Sequence, residues 1–322
     1  MPPALAAARS SRVWLALAVV YVVWGSTYLA IRWALETIPP FTMAGSRYVV
    51  AGLILFAVAR AQGAPAPALR DFVPAFLTGG LMLLCGNGGV VWAEQKIASG
   101  LAALLVAVEP LFIVLLQATL PQERRRPSAR ALVGVALGVL GVVLLVGPVR
   151  TGGTRVDLAG AAAVLFAAFA WALGSLLSRH FAPPASPLQA TAIQMLAGGL
   201  LLGAASLVTG EWTRFSPSLV SGRSLLAVSY LVVFGSLVAF TAYVWLLRAA
   251  SPALVSTYAF VNPIVAVFLG WLLAAEPVGA RTLVAAVVIV GAVVLITLGE
   301  SSGTRPEIGS RLQKTGKKEE FR

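Results

Sequence analysis

The chain has 322 residues, 59% of them apolar and 11% charged, and its mean hydropathy is +0.89. Average soluble domains carry about 25% charged residues, so this composition excludes an ordinary soluble protein and points to a membrane. The net charge of +12 does not indicate nucleic acid, because the basic residues gather at the ends of apolar runs and in the last 22 residues, where anionic lipid attracts them.

Cys85 is the single cysteine and His180 the single histidine. Neither an intrachain disulfide nor a metal centre is expected, and no bound cofactor is implied. Residues 1–12 read as a short tail carrying Arg9 and Arg12. A basic start before VWLALAVVYVV has the form of a signal peptide. The apolar run continues past a usual signal core, however, and its pattern returns later in the chain. This predicts a retained first span, Trp14–Trp33.

The next spans are predicted at Phe41–Val58, Phe72–Trp92, Ala98–Leu120 and Ala129–Val146. The fourth has 23 residues and one charge, Glu109, at its twelfth position. At ~1.5 Å per residue it crosses a ~30 Å hydrocarbon core with Glu109 near mid-depth. Pro110 has no N–H and leaves the carbonyl of Val106 without its helical partner. A carboxyl group and an interrupted ladder are tolerated at that depth only against protein or a water-filled cavity.

A second set follows at Leu158–Leu177, Leu188–Val208, Leu225–Leu247, Pro252–Ala274 and Thr282–Leu298. In the ninth span Asn262-Pro263 stands where Glu109-Pro110 stood in the fourth, with Ala259 holding the freed carbonyl. Two constant separations relate the sets. One of 147 pairs Trp24 with Trp171, Arg32 with Arg179, Pro40 with Pro187 and Gly52 with Gly199. One of 153 pairs Trp92 with Trp245, Pro110 with Pro263 and Glu123 with Glu276.

Five is odd, so the second set enters the membrane from the opposite face. The expected fold is an all-α membrane protein of ten transmembrane helices in two inverted five-helix repeats, with a site where broken helices meet at the midplane. The repeats are expected over residues 13–147 and 157–299, followed by a disordered basic cytoplasmic tail, 300–322. Arginines of the first half, such as Arg60, Arg70 and Arg124–Arg126, place both termini in the cytoplasm; Arg150, Arg155, Arg214, Arg223 and Arg281 of the second half argue less well for that orientation.

Several stretches resemble the EamA branch of the drug/metabolite transporter superfamily. They are YVVWGSTYLAIRWALETIPPFTMAGSRY, GNGGVVWAEQ, the pair SGLAALLVAVEP and SPALVSTYAFVNP, and the pair LPQERR and LAAEPV. The resemblance covers essentially residues 13–300. It implies a ten-helix inner-membrane carrier with cytoplasmic termini, often exporting amino acids or similar metabolites. LPQERRRPS departs from the pattern, with three arginines where the family more often has one basic residue. No substrate is carried over.

Glu109 is the foremost candidate for substrate binding, as a proton carrier or a receptor for a cationic group; the alternative is a neutral acid holding freed backbone. Asn262 offers donors and acceptors, or a packing hydrogen bond between helices. Trp24, Tyr28 and Arg32 share one face of span one, and Trp171, Ser175 and Arg179 repeat it in span six. Trp24 lies too deep for an interfacial belt, which favours a cavity wall, whereas Arg32 and Arg179 are expected to snorkel.

Asn87 and Tyr258 are further cavity candidates, balanced against packing. Glu94 and Lys96 are expected near the surface, simply solvated, and Arg47 is expected to snorkel. Gly134 and Gly138 form a GxxxG read as packing within the bundle rather than as a dimer contact. Glu123 and Glu276, at equivalent span ends, are candidate gates.

These features predict a secondary transporter, an exporter of small metabolites such as amino acids or related amphipathic compounds, working by alternating access. The expected partners are a small-molecule substrate, the lipid bilayer and, as a candidate coupling ion, protons, in a monomer or homodimer. A lipid flippase or channel-like facilitator is the nearest alternative. An intramembrane enzyme needs a nucleophile with its base or a metal cluster at mid-depth, and those parts are missing. Spans four and nine contain no Lys or Arg, which argues against carriage of sugar phosphates.

Overall fold

Each apolar run forms helix, because hydrocarbon leaves a backbone no hydrogen-bond partners except its own. In the computed structural model, residues 3–119, 127–146, 156–181, 186–250, 252–255 and 257–302 are described, and among them there is no strand. Span one is Pro3–Ala34, span two Pro40–Ala61, span three Leu69–Ala93, span four Ser99–Thr119 and span five Ala129–Val146. The second repeat comprises span six, Leu158–His180, span seven, Pro187–Val208, span eight, Gly222–Ala249, span nine, Pro252–Val255 with Tyr258–Ala274, and span ten, Ala280–Ser302. Eight have the length and apolarity to cross a membrane, and spans nine and ten contribute the shorter apolar helices Val261–Ala274 and Ala280–Ile296.

The helix of span one begins at Pro3, and its stretch apolar enough to cross a membrane is Ser11–Ala34, close to the expected Trp14–Trp33. Glu123 and the basic tail beyond Ser302 lie outside the described residues. Outward-facing Leu53, Val139, Leu140, Leu200 and Val287 are all exposed. An apolar surface of this kind belongs against lipid.

The packing obeys an exchange of the two halves. Span two lies against seven and span five against ten, each pair mapping onto itself. Span one packs on nine as six packs on four, and three packs on six as eight packs on one. The self-paired contacts run through small residues: a Cβ on Gly199 would lie 2.8 Å from the Val49 nitrogen, and one on Gly52 would lie 2.8 Å from Leu196 Cγ.

The GxxxG glycines work inside the bundle. A Cβ on Gly134 would lie 2.8 Å from the Ala292 carbonyl oxygen and 2.6 Å from Ile296 Cγ1, while one on Gly138 would meet Leu111 at 2.6 Å.

Four spans depart from regular α-helix, and they are repeat mates. Spans three and eight each contain a π-helical segment, Gly80–Asn87 and Leu231–Phe240, whose last residues are 153 apart. Span four divides into Ser99–Val106 and Glu109–Thr119, with Leu111 N–H bonding back to the Val108 carbonyl at 2.9 Å. Span nine divides earlier than its Asn-Pro predicts. Its described helical stretches are Pro252–Val255 and Tyr258–Ala274, with Thr257 in a turn, and the second continues through Pro263. Between the leading serine and the Pro, span nine has one residue more than span four.

Gly134→Val should force spans five and ten apart against backbone. It is expected to cost more than about 2 kcal/mol, read as a clear fall in the melting temperature of purified protein. Leu140→Ala, on the lipid-facing side of the same helix, should change it little.

Candidate functional site

Four aromatic rings from spans one, six, eight and nine close around the centre of the bundle. Trp24 stands 5.5 Å from Trp171 at 84°, 4.8 Å from Tyr243 and 5.4 Å from Tyr258 at 83°. Tyr243 is 5.7 Å from Trp171 and 5.6 Å from Tyr258. Edge-to-face pairs of this kind add about 0.5–1.5 kcal/mol each beyond area burial. Their polar atoms are engaged as well: Trp24 Nε1 donates to the Gly235 carbonyl at 3.2 Å, and Trp171 Nε1 to Tyr243 Oη at 3.1 Å. Ser175 Oγ donates to the Trp171 carbonyl and shares a 2.8 Å bond with Tyr243 Oη.

Two cavities flank the cluster. The larger, about 70 Å³, is bordered by Trp24, Tyr28, Arg47, Asn87, Glu109 and Asn262 among others. The smaller, about 10 Å³, is bordered by Glu109, Ser175, Arg179, Tyr243, Val255 and Tyr258. Chain positions put them on opposite sides of the rings: Ile31 and Val106 border the first, Ile113 and Leu247 the second. Glu109 and Tyr258 border both. Drug-sized ligands occupy pockets of about 300–1,000 Å³, so the larger cavity suits a much smaller molecule. A third, wider groove along spans nine and ten is lined by apolar side chains and Trp271, with no charged group to hold a polar solute.

Glu109 is 1% exposed, and its Oε2 accepts a 2.6 Å hydrogen bond from Tyr258 Oη. Its Oε1 has no partner among the described residues. Asn262 is buried, and in the orientation that satisfies its amide, Nδ2 donates to the Tyr21 carbonyl at 3.0 Å and the Tyr258 carbonyl at 3.3 Å. It thus ties span nine to span one while bordering the larger cavity. Asn87 Oδ1 is a buried acceptor without a partner among the described residues.

The expected candidates therefore converge, with Ser175 on the smaller cavity. Two other expectations fail. Arg47 does not snorkel: it is 3% exposed, its Nε donates to Ser236 Oγ at 2.7 Å, and it borders the larger cavity. Span two is held against span eight there, which points the side chain inward. Glu94 is not solvated: it is 5% exposed, with neither carboxylate oxygen hydrogen-bonded among the described residues. Span three carries it under the end of the bundle, where Glu276 and Arg32 are the charges acting on it. Sequence reading also missed Tyr243, although it lies in the same 153-residue register that pairs Trp92 with Trp245. Trp245 faces outward and Tyr243 faces the site.

Glu276 occupies the same end of the bundle. Its Oε1 accepts from Ser99 N at 2.9 Å and Ser99 Oγ at 2.8 Å, and its Oε2 from Gly100 N at 3.1 Å, satisfying the first turn of span four. Arg32 Nη1 lies 3.3 Å from Oε1, so this arginine is ion-paired, though half exposed. Glu276 follows Ala275, a non-glycine residue at φ 52°, a left-handed conformation that costs roughly 1 kcal/mol.

Ten apolar spans in two related halves, with polar groups gathered at broken helices in their midst, define a membrane transporter of the inverted-repeat class. The model for the EamA-like transporter family matches residues 12–147 and 158–298, and the chain belongs to this family. It is 42% identical over 287 residues to "Uncharacterized inner membrane transporter YedA" of Escherichia coli (strain K12), covering 88% of this chain and 90% of that protein. Over 168 residues it is 32% identical to "Probable amino-acid metabolite efflux pump" of Salmonella typhimurium, covering 51% of this chain and 52% of that protein. A solved crystal structure of 22% identity superposes with a TM-score of 0.65, covering 92% of this chain and 99% of the other; it shows the shared fold. The family and these names indicate a multi-pass transporter of the inner membrane rather than an enzyme.

Removing the Glu276 carboxylate strands the donors of Ser99 and Gly100. Glu276→Ala should therefore cost about 1–3 kcal/mol, measured by thermal unfolding. Arg32→Gln, at a half-exposed pair, should cost about 1 kcal/mol or less. Equal losses would show that the ion pair, rather than the capping of span four, holds this end together.

Proposed function

We propose that the protein is a secondary transporter exporting small metabolites, amino acids or related amphipathic compounds, by alternating access, with both termini in the cytoplasm and protons as the coupling ion. The observation that carries this reading is the position of Glu109. It is a wall of both cavities, on the two sides of one aromatic barrier. A residue so placed meets solute from either face without itself crossing the membrane, as a fixed site between rocking repeats requires. The substrate-binding set is Glu109, Asn262, Trp24, Tyr28, Asn87, Trp171, Ser175 and Tyr258. The name of the Salmonella relative supports amino-acid metabolites and outward movement. The repeat units are residues 13–147 and 157–299, and Glu276 serves as a gate at its end of the bundle.

A charged carboxylate at this depth is expensive without a partner, and Tyr258 supplies a hydrogen bond rather than a charge. Glu109 is therefore neutral, or paired with a passing cation, during part of the cycle. Glu109→Gln keeps the shape and removes the charge. In proteoliposomes the variant should still exchange substrate between the two faces but lose its response to an imposed pH gradient. Parent-like acceleration by that gradient would make Glu109 structural.

The orientation has its own test. A C-terminal fusion to a reporter active only in the periplasm should stay silent in cells, while the same reporter inserted after Thr209 should be active. Activity at the C-terminus would reverse the direction assigned here.

A further inference from the structure

Arg47 is a buried cation at the larger cavity, and the transporter reading has given it no task. Its guanidinium is 3% exposed, and among the described residues no carboxylate lies within ion-pair distance. Nε is taken by Ser236, and Tyr48 lies under the group with its ring centroid 4.8 Å from Cζ. Nη1 has no hydrogen-bond partner among the described residues. Leaving a charged donor unmatched in a packed interior costs several kcal/mol per ion, so such a group persists where something of opposite charge comes to it.

The repeat shows that space has been made for this cation. A Cβ on Gly235 would stand 2.7 Å from Arg47 Nη2 and 3.2 Å from Thr27 Cγ2. The separations of 147 and 153 pair Thr27 with Gly174, Arg47 with Gln194 and Gly235 with Met82. In that other half, Met82 fills the volume: a Cβ on Gly174 would lie 2.6 Å from Met82 Cγ, and Gln194 Nε2 donates to Met82 Sδ at 3.4 Å. One half packs a methionine against an amide, and the other opens a glycine gap for a guanidinium. The two-fold arrangement is thus broken here as well, beside the cavity.

Resting on the reading of this cavity as the substrate site, we propose that Arg47 is its anion receptor, binding the carboxylate of a small organic acid through Nη1. Asn87 Oδ1 and Glu109 Oε1, the partnerless acceptors of the same cavity, take the N–H donors of ligands that have them. A carboxylate matches the planar guanidinium and fits the small volume. Arg47 sets which end of the ligand lies on the span-two side of the cavity, and Glu109 keeps the part given to it above.

Three ligands of one size test this: leucine, leucinamide, which lacks the carboxylate, and 4-methylpentanoate, which lacks the ammonium. Equilibrium binding to purified full-length protein should favour leucine and 4-methylpentanoate over leucinamide by at least about tenfold. Arg47→Gln, which copies the residue of the other repeat, should abolish that preference, and Arg47→Lys should restore part of it. Gly235→Ala, which crowds the guanidinium without touching its charge, should weaken carboxylate binding and provides a second route if Arg47→Gln folds poorly. Glu109→Gln should keep the carboxylate preference. A preference unchanged in both Arg47→Gln and Gly235→Ala, or a parent that favours leucinamide, overturns the proposal. So does a parent that binds none of the three while exchanging another solute, which leaves the transport reading standing. Carboxylate binding lost with Arg47, in a protein that moves no solute across a bilayer, supports the receptor and sinks transport instead.

Discussion

Hydrocarbon supplies no hydrogen bonds, so a membrane protein must satisfy its buried polar groups from within. This chain does so along most of its length. Span starts are capped by Asp157, Ser186 and Ser221, and the first turn of span four by Glu276. Among the described residues, partnerless buried atoms are found on Trp33, Glu94 and Thr241 and, beside one cavity, on Arg47 (Nη1), Asn87 (Oδ1) and Glu109 (Oε1). Each orphaned group costs about 1–3 kcal/mol or more. Three such groups bordering one cavity make it the candidate site.

The regular and irregular helices divide the labour. Spans two and seven, and spans five and ten, cross at glycines whose Cβ would strike a facing side chain or backbone. Contacts that close are hard to slide and make a stiff frame. Spans three, four, eight and nine carry the π-helical segments and the breaks. There the backbone ladder is already interrupted, and small changes of direction need not rupture a full set of i→i+4 bonds. The groups that face the cavities hang largely from these helices and from spans one and six.

The number of spans, their order and their pairing into repeats were legible because apolar length and a constant residue separation survive in sequence. Glu109 was legible for a similar reason, since one charge in a largely apolar span of 23 residues has few innocent explanations. Arg47 and Glu94 were misread because sequence gives depth along a helix but not its azimuth. Arg47, two turns into span two, reaches lipid headgroups on one face and the cavity on the other, and packing against span eight selects the second. The π-helical segments left no signal in an apolar run, yet they rotate everything after them, including Tyr243. The break in span nine was placed at Pro263 on the assumption that proline interrupts a helix where it stands. Here the helix absorbs it, and the described interruption is the turn at Thr257.

Spans four and nine are joined twice. At mid-depth Tyr258 of span nine donates to Glu109 of span four. At one end Glu276, immediately beyond span nine, grips Ser99 and Gly100 of span four. Gly270 leaves room for that grip, because a Cβ there would fall 2.5 Å from Glu276 Oε2. The Ser99–Val106 segment lies between the two clamps, and its far end is the break before Glu109. Both clamps bear on this one short segment. In the proposed alternating access, a change of charge on Glu109 and a release of Glu276 would therefore act on the same wall of the larger cavity without a chain of intervening side chains.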